Sequence, residues 1–192
     1  MIYSLLLLAA VTQSAWHVDD DALPGGNGTA AAPFHEIQTA IDAPSTLDGD
    51  TIYIAPGTYD ENLVLSSKTL GLVGDNATGD VLVRQTSTTA RLVSVSGSNV
   101  SIDQITFLQD DDESRGGGIQ ILASTVTLRD CRIEGHHGPW QNSGNTSRGA
   151  GLYVTNANVL VESNPTTSGG GLYVGSGNVT LERTEVDGNN SQ

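Results

Sequence analysis

Pairs of apolar residues, two positions apart, recur at fixed distances along the second half of the chain. The recurring unit begins with a glycine-rich phrase whose last glycine is Gly118, Gly151 or Gly171. Counted from that glycine, apolar residues occupy positions +1 and +3 and again +8 and +10, and an earlier unit that starts at Leu92 has the same spacing. A third pair follows at +13 and +15 in the units of Leu92 and Gly118. A period of two predicts strands with one buried face.

Three such strands per unit, separated by Gly, Ser, Asn and Asp, predict an all-β fold. The prediction is a right-handed single-stranded parallel β-helix of about six coils with a short N-terminal capping α-helix. A single unit cannot bury its own apolar face, so successive units must stack, about 4.8 Å apart. Each position of the unit then becomes a column of side chains, and Ile119, Leu152 and Leu172 are expected in one internal column.

The chain divides into three predicted regions. Residues 1–15 are uncharged and mostly apolar but too short to cross a bilayer, which is typical of a secretory signal peptide cut near Ala15; a buried N-terminal strand is the alternative. Residues 16–48 are predicted to form an N-terminal loop and a capping helix that starts at Pro33. Residues 49–192 are predicted to form the β-helix, truncated or uncapped at the C-terminus because no capping element follows the last apolar pair.

Composition narrows the class of protein. The net charge of −14 comes from 8 Lys and Arg against 22 Asp and Glu. Such an acidic chain is not expected to bind nucleic acid or to insert into a membrane once mature, because phosphate binding needs a basic surface. There is one cysteine, Cys131, whose place in an inward column predicts a small core residue rather than a reactive thiol.

Three motifs precede the repeats. They are Gly25-Gly26-Asn27-Gly28-Thr29, Pro33-Phe34-His35-Glu36-Ile37-Gln38-Thr39-Ala40-Ile41-Asp42, and Gly49-Asp50-Thr51-Ile52-Tyr53-Ile54-Ala55-Pro56-Gly57-Thr58-Tyr59, the last followed by Glu61-Asn62. With these motifs the chain closely resembles the N-terminal part of secreted right-handed parallel β-helix proteins of the pectin-lyase-like superfamily. Its later glycine-rich units also resemble repeats of polymorphic outer-membrane-type surface proteins. The resemblance implies the fold more than the function, because the matching positions are cap, turn and core positions.

Two tyrosines are the first candidate site. Tyr153 and Tyr173 occupy position +2 of neighbouring units and should face outward on adjacent rungs. Exposed rings side by side could form a platform for sugars, although an aromatic ladder that only stabilises the sheet explains them as well.

Two loops that follow position +15 are the second candidate. Asp110, Asp111 and Asp112 lie in one, and His136, His137 and Trp140 lie in the other, so both loops should project from the same rim. The His pair with the acidic loop could chelate a transition-metal ion, but a solvated loop is the simpler interpretation. Ca²⁺ could also bind between Glu162 and Glu182 on adjacent rungs, where a solvated pair is again simpler.

Catalysis would require groups that the outward columns do not supply. The polysaccharide lyases that share this fold use acidic calcium ligands and a basic residue on one outer face. The outward arginines of the regular units are Arg129, Arg132 and Arg183, and none has several Asp residues around it. Asp103 is expected to pair with Arg129 one rung away. No catalytic residue and no cofactor are therefore predicted, although Ca²⁺ is possible.

The sequence as a whole predicts a secreted or cell-surface β-helix scaffold, non-catalytic, that contacts extracellular polysaccharides or surface proteins. The alternative is a pectate-lyase-like enzyme that acts by calcium-assisted β-elimination. Six Asn-x-Ser/Thr sequons also occur, at Asn27, Asn76, Asn99, Asn145, Asn178 and Asn189. Asn is also a natural turn residue before a strand, so the sequons alone do not establish glycosylation.

Overall fold

A computed structural model describes residues 14–85, 90–108, 118–134, 151–162, 167–168, 172–182 and 186–187. The elements are β1 Ala15–Val18, α1 Ile37–Asp42, β2 Thr51–Ile54, β3 Gly57–Asp60, β4 Leu63–Ser66, β5 Thr69–Gly74, β6 Val81–Arg84, β7 Val93–Ser96, β8 Asn99–Asp103, β9 Thr106–Leu108, β10 Ile119–Leu122, β11 Thr125–Arg129, β12 Arg132–Glu134, β13 Leu152–Thr155, β14 Ala157–Glu162, β15 Thr167–Ser168, β16 Leu172–Val174, β17 Gly177–Glu182 and β18 Val186–Asp187. No described helix is long and apolar enough to span a membrane.

The strands form three parallel sheets that wind around one core. The seven-stranded sheet has the order β1-β2-β5-β8-β11-β14-β17, the six-stranded sheet β3-β6-β9-β12-β15-β18, and the five-stranded sheet β4-β7-β10-β13-β16. Each coil contributes one strand to each sheet in turn, so β2 to β16 make five coils, and β17 and β18 belong to a sixth. The fold is the predicted right-handed parallel β-helix, because nearly all parallel connections are right-handed.

The predicted register is confirmed in the internal columns. Ile119 is paired with Leu152, and Leu152 with Leu172, on adjacent strands of the five-stranded sheet. Ile119 is fully buried, and the buried Cys131 is likewise a core residue. Burial of the Cys131 thiol raises its pKa to about 12, which makes it unreactive at neutral pH. Fully burying a side chain the size of Ile or Leu contributes about 1.5–3 kcal/mol, so the columns supply most of the stability.

The N-terminal end differs from its predicted bounds. The helix begins at Ile37 rather than Pro33. The backbone of Phe34 explains the difference, because its N–H donates to the His17 carbonyl and its own carbonyl accepts from the Asp19 N–H, which holds this segment extended against β1. β1 itself pairs with β2, so the seven-stranded sheet extends ahead of residue 49.

Helix α1 is capped by a carboxylate from the first coil. Its N-cap residue, Glu36, makes no side-chain cap. Instead, Glu61 accepts the N–H groups of Ile37 and Gln38, one on each carboxylate oxygen, both at 2.8 Å. Burial raises the pKa of Glu61, and these two hydrogen bonds act against that shift. The next residue, Asn62, donates to the Arg91 carbonyl at 2.8 Å, so the Glu-Asn dipeptide links the cap to the first two coils.

Asp50 fastens the N-terminal strand to the stack. It is 2% exposed, and its carboxylate accepts hydrogen bonds from the Ser14 N–H at 2.8 Å, the Trp16 Nε1–H at 2.8 Å and the Leu47 N–H at 2.9 Å. Burial alone would raise the pKa of Asp50, but the hydrogen bonds from Trp16, Leu47 and Ser14 outweigh it, and the pKa lies below its ordinary value. The ionised carboxylate therefore stabilises the folded state.

One turn conformation recurs between the five-stranded and seven-stranded sheets. Ser67, Gly97, Ala123 and Asn156, each directly after a strand of the five-stranded sheet, have φ angles of 54°, 58°, 48° and 51°. This left-handed conformation favours Gly and tolerates Asn, but the Cβ of Ala strains it. The column therefore shows where the chain bends in the first four coils, and Ala123 is its least suitable residue.

We expect Asp50→Asn to destabilise the protein by about 1–3 kcal/mol at neutral pH, because the amide leaves buried N–H donors unsatisfied. The folded-state pKa is below the ordinary value of 3.8, so the stabilisation is present above that value and is lost as the pH falls through the lower folded-state pKa. Urea unfolding of both proteins across this range should show the difference shrinking in acid. Asp80→Asn, at an exposed carboxylate, is the control, and a difference that stays constant with pH would contradict the role of the charge.

We expect Ala123→Gly to stabilise the protein by about 0.5–1 kcal/mol. Removal of the Cβ relieves the strain of the left-handed conformation, and this gain exceeds the free-energy cost of the greater conformational freedom that Gly gives the unfolded chain. The urea midpoint should rise without a change in slope. Ala31→Gly is the matched control, since Ala31 is exposed and is not among the residues with positive φ. An equal effect at both positions would show that the turn conformation is not responsible.

Candidate functional site

The outer face of the five-stranded sheet carries the two tyrosine positions. Tyr153 in β13 and Tyr173 in β16 are Cα partners, so the predicted adjacency of the two positions is confirmed at the backbone. Toward the N-terminus the same column continues through Gln120 and Ser94 to Val64. Tyr153 is partly buried, and the side chain of Tyr173 lies outside the described residues. A glycan-binding role for the pair stays a prediction.

Arg91 packs on the first of these tyrosines. Its guanidinium carbon lies over the Tyr153 ring, 5.5 Å from the ring centroid, which is a cation–π contact. Burial lowers the pKa of Arg91, and Tyr153 acts in the opposite direction. The guanidinium nevertheless stays charged at neutral pH. Since Arg91 stands just before β7 and Tyr153 is in β13, the contact reaches across the intervening strand β10.

The exterior charges are arranged as pairs. Arg129 Nη1 lies 2.9 Å from Asp103 Oδ1, which confirms the pair expected from adjacent rungs. Arg84 makes a two-pronged contact with Asp60, at 2.7 and 2.8 Å. Arg132 Nε lies 2.8 Å from a carboxylate oxygen of its strand neighbour two residues on. These arginines are thus occupied in exposed ion pairs, which are worth little stability each.

The two glutamates that the sequence suggests as a Ca²⁺ site are aligned at the backbone. Glu162 and Glu182 are Cα partners in β14 and β17. The side chain of Glu162 lies outside the described residues, so Ca²⁺ binding between the two stays a prediction. The rim-loop candidates, Asp110, Asp111, Asp112, His136, His137 and Trp140, also lie outside the described residues.

An aromatic stack on the first rungs of the seven-stranded sheet was not predicted as a site. His17 in β1 and Tyr53 in β2 are Cα partners, and their rings are stacked with centroids 5.8 Å apart and planes at 24°. They border a groove of about 150 Å³ that Asp19, Pro33 and Asp75 also line. The feature of the sequence that points to this stack is the outward position of Tyr53 in its strand. The sequence does not pair Tyr53 with His17, because residues 16–48 are predicted to form a loop and a helix.

Three consecutive carboxylates stand next to that groove. Asp19, Asp20 and Asp21 each have a ligand atom within 4.8 Å of the others. The structure gives two of these groups another role. Asp20 Oδ2 accepts the Thr58 N–H at 2.8 Å, and Asp19 Oδ1 accepts the Asp21 N–H at 3.0 Å. The cluster therefore braces the turn after β1 against β3.

No protein-family model matches the chain. Over 77 residues, which are 40% of the chain, it is 35% identical to a cell surface glycoprotein of Methanothermus fervidus. That match spans 12% of the length of the glycoprotein.

Among solved structures, the chain is similar to a pectin methylesterase mutant in complex with a hexasaccharide, with a TM-score of 0.54 and 19% identity over 83% of this chain and 50% of that one. It is similar also to pectin methylesterase PemA from Erwinia chrysanthemi, with a TM-score of 0.53, 19% identity and the same two coverages. The chain thus spans about half the length of these enzymes. At this identity the likeness shows the fold alone, which is the parallel β-helix.

Proposed function

We propose that the chain is an extracellular or cell-surface β-helix scaffold, non-catalytic, that contacts glycans through the outer face of its five-stranded sheet. The observation that carries the proposal is the pairing of Tyr153 with Tyr173, with the guanidinium of Arg91 over the Tyr153 ring. The cell surface glycoprotein with which the chain shares 35% identity over 77 residues supports the location. The solved β-helices in complex with hexasaccharides support carbohydrate as the class of ligand.

The position of Arg91 supports one way of holding a sugar over another. Arg91 covers one face of the Tyr153 ring, so a sugar would contact the ring edge and the phenol hydroxyl rather than that face. Arginine N–H groups are donors that sugar hydroxyl oxygens can accept. Because the residues stand on paired strands of a rigid stack, little freedom is lost on binding. The net charge of −14 favours a neutral polysaccharide over a polyanion.

A pectate-lyase-like activity is the second candidate, and the fold shared with pectin-processing enzymes is its support. The exterior chemistry of the described residues favours the scaffold. A general base must accept a proton, whereas the guanidinium groups of Arg84, Arg129 and Arg132 are engaged in ion pairs with carboxylates. The described group of three carboxylates is Asp19–Asp21, which stands beside the first coil, three coils away from Arg129.

We expect the double variant Tyr153→Ala, Tyr173→Ala to lose retention on affinity gels that contain a neutral β-glucan, because both ring edges are removed. Mobility in gels with and without the polysaccharide measures the retention, and polygalacturonate serves as the acidic comparison. Tyr53→Ala, which removes an exposed ring from a different sheet, is the matched control and should be retained like the parent. Equal retention of parent and double variant, with unchanged circular dichroism, would refute the glycan-binding face.

We expect no unsaturated uronide ends when the protein is incubated with polygalacturonate and Ca²⁺. Elimination would create a conjugated double bond, so ultraviolet absorbance follows it directly. A rise in absorbance that Arg129→Ala or Arg132→Ala abolishes would overturn the non-catalytic assignment. A rise that neither variant changes would equally do so and would place the base elsewhere.

A further inference from the structure

The acceptor asparagine of each sequon is exposed wherever the structure describes it. Four of the six asparagines fall in described segments, Asn27, Asn76, Asn99 and Asn178, and all four are exposed. N-glycosylation requires an accessible asparagine with a hydroxyl residue two positions later, on a protein that leaves the cytoplasm. The exposure of the acceptors is an observation that the sequence motif alone does not supply.

The four sequons differ in how their backbone is held. Asn99 and Asn178 are in strands, where ladder hydrogen bonds fix the chain, and Asn178 also donates to Asn158 Oδ1 at 3.1 Å. Asn76 lies in the turn between β5 and β6, and every residue from 75 to 80 is exposed. The Asn27 side chain is exposed in the N-terminal loop, in a turn where the N–H groups of Asn27 and of the buried Gly28 both donate to the Ala32 carbonyl. A transferring enzyme must reach the acceptor from several sides, and Asn76 and Asn27 stand outside the strands, so the folded chain presents these two better than the strand sequons.

At Asn27 the acceptor and the hydroxyl are already in contact. Thr29 donates both its Oγ1–H, at 2.8 Å, and its N–H, at 3.2 Å, to Asn27 Oδ1. Hydrogen bonds to an amide oxygen draw electron density from the amide nitrogen and make its N–H more acidic. The side-chain nitrogen of Asn27 is thereby prepared to lose a proton as a bond forms at that nitrogen.

All four described sequons border the seven-stranded sheet. Asn99 and Asn178 occupy one column at its edge, three rungs apart, which corresponds to about 14 Å. Asn76 directly follows β5 of this sheet, and the residue after Asn27, Gly28, accepts the backbone N–H of His17 in β1. The tyrosine column belongs to the five-stranded sheet, so carbohydrate on the loop sequons would stand beside a different face.

We infer that the chain is N-glycosylated at Asn76 and Asn27. In the transfer, the side-chain nitrogen of Asn attacks the anomeric carbon of a glycosyl phosphate donor, and the N–C bond forms as the bond from that carbon to the phosphate oxygen breaks. The amide nitrogen gives up one proton, and the lipid-linked phosphate leaves with the bonding electron pair. The inference stands independently of the proposed glycan-binding face, since no residue is shared between them.

The test is mass spectrometry of glycopeptides from the protein as its own cells secrete it. We expect carbohydrate mass on the peptides that contain Asn76 and Asn27. Thr78→Ala should remove all the mass from Asn76 while leaving the asparagine in place, and Asn76→Gln should do the same. Asn158→Gln is the control, because Asn158 is exposed and on the same outer face as Asn178 but has no hydroxyl residue two positions later. Unmodified Asn76 and Asn27 in the secreted protein would overturn the inference, and so would carbohydrate confined to the strand sequons.

Discussion

The fold depends on one constraint, the registration of each parallel strand with the equivalent strand of the next coil. Because side chains alternate between faces, a shift of one residue would move an entire apolar column from the core to the solvent. The column Ile52, Leu72, Ile102, Leu128 and Val161 shows the register held over five coils, with every member buried. The same registration aligns the outward residues, so any chemistry on the exterior is built from residues that are distant in sequence but one rung apart.

The parts of the structure that repeat could be predicted from the sequence. Apolar pairs two residues apart identify the inner columns, and counting from each anchor then places Asp103 beside Arg129 and Tyr153 beside Tyr173. The reason is physical. In a stack with a constant rise, equal positions in successive units have equal environments, so one unit supplies the rule for the others.

The parts that occur only once could not be predicted. Asp50 collects donors from Ser14, Trp16 and Leu47, and Glu61 caps a helix more than twenty residues earlier in the chain. These contacts join segments that share no period, so neither spacing nor composition signals them. The start of α1 was misplaced for the same reason, because the hydrogen bonds between Phe34 and β1 hold Pro33 outside the helix.

The outward side chains explain why the β-helix fold says so little about activity. Stacking fixes where an outward side chain stands but leaves its identity free, so two β-helices with 19% identity share the core rule and need share nothing on their faces. In this chain, arginine side chains on the described outer faces contact other side chains. Arg129 is held by Asp103, and Arg91 lies over an aromatic ring. An arginine that is bound to a carboxylate orients and neutralises charge but does not accept protons. What each face of the stack can do is therefore set by its own outward residues and their neighbours, not by the fold.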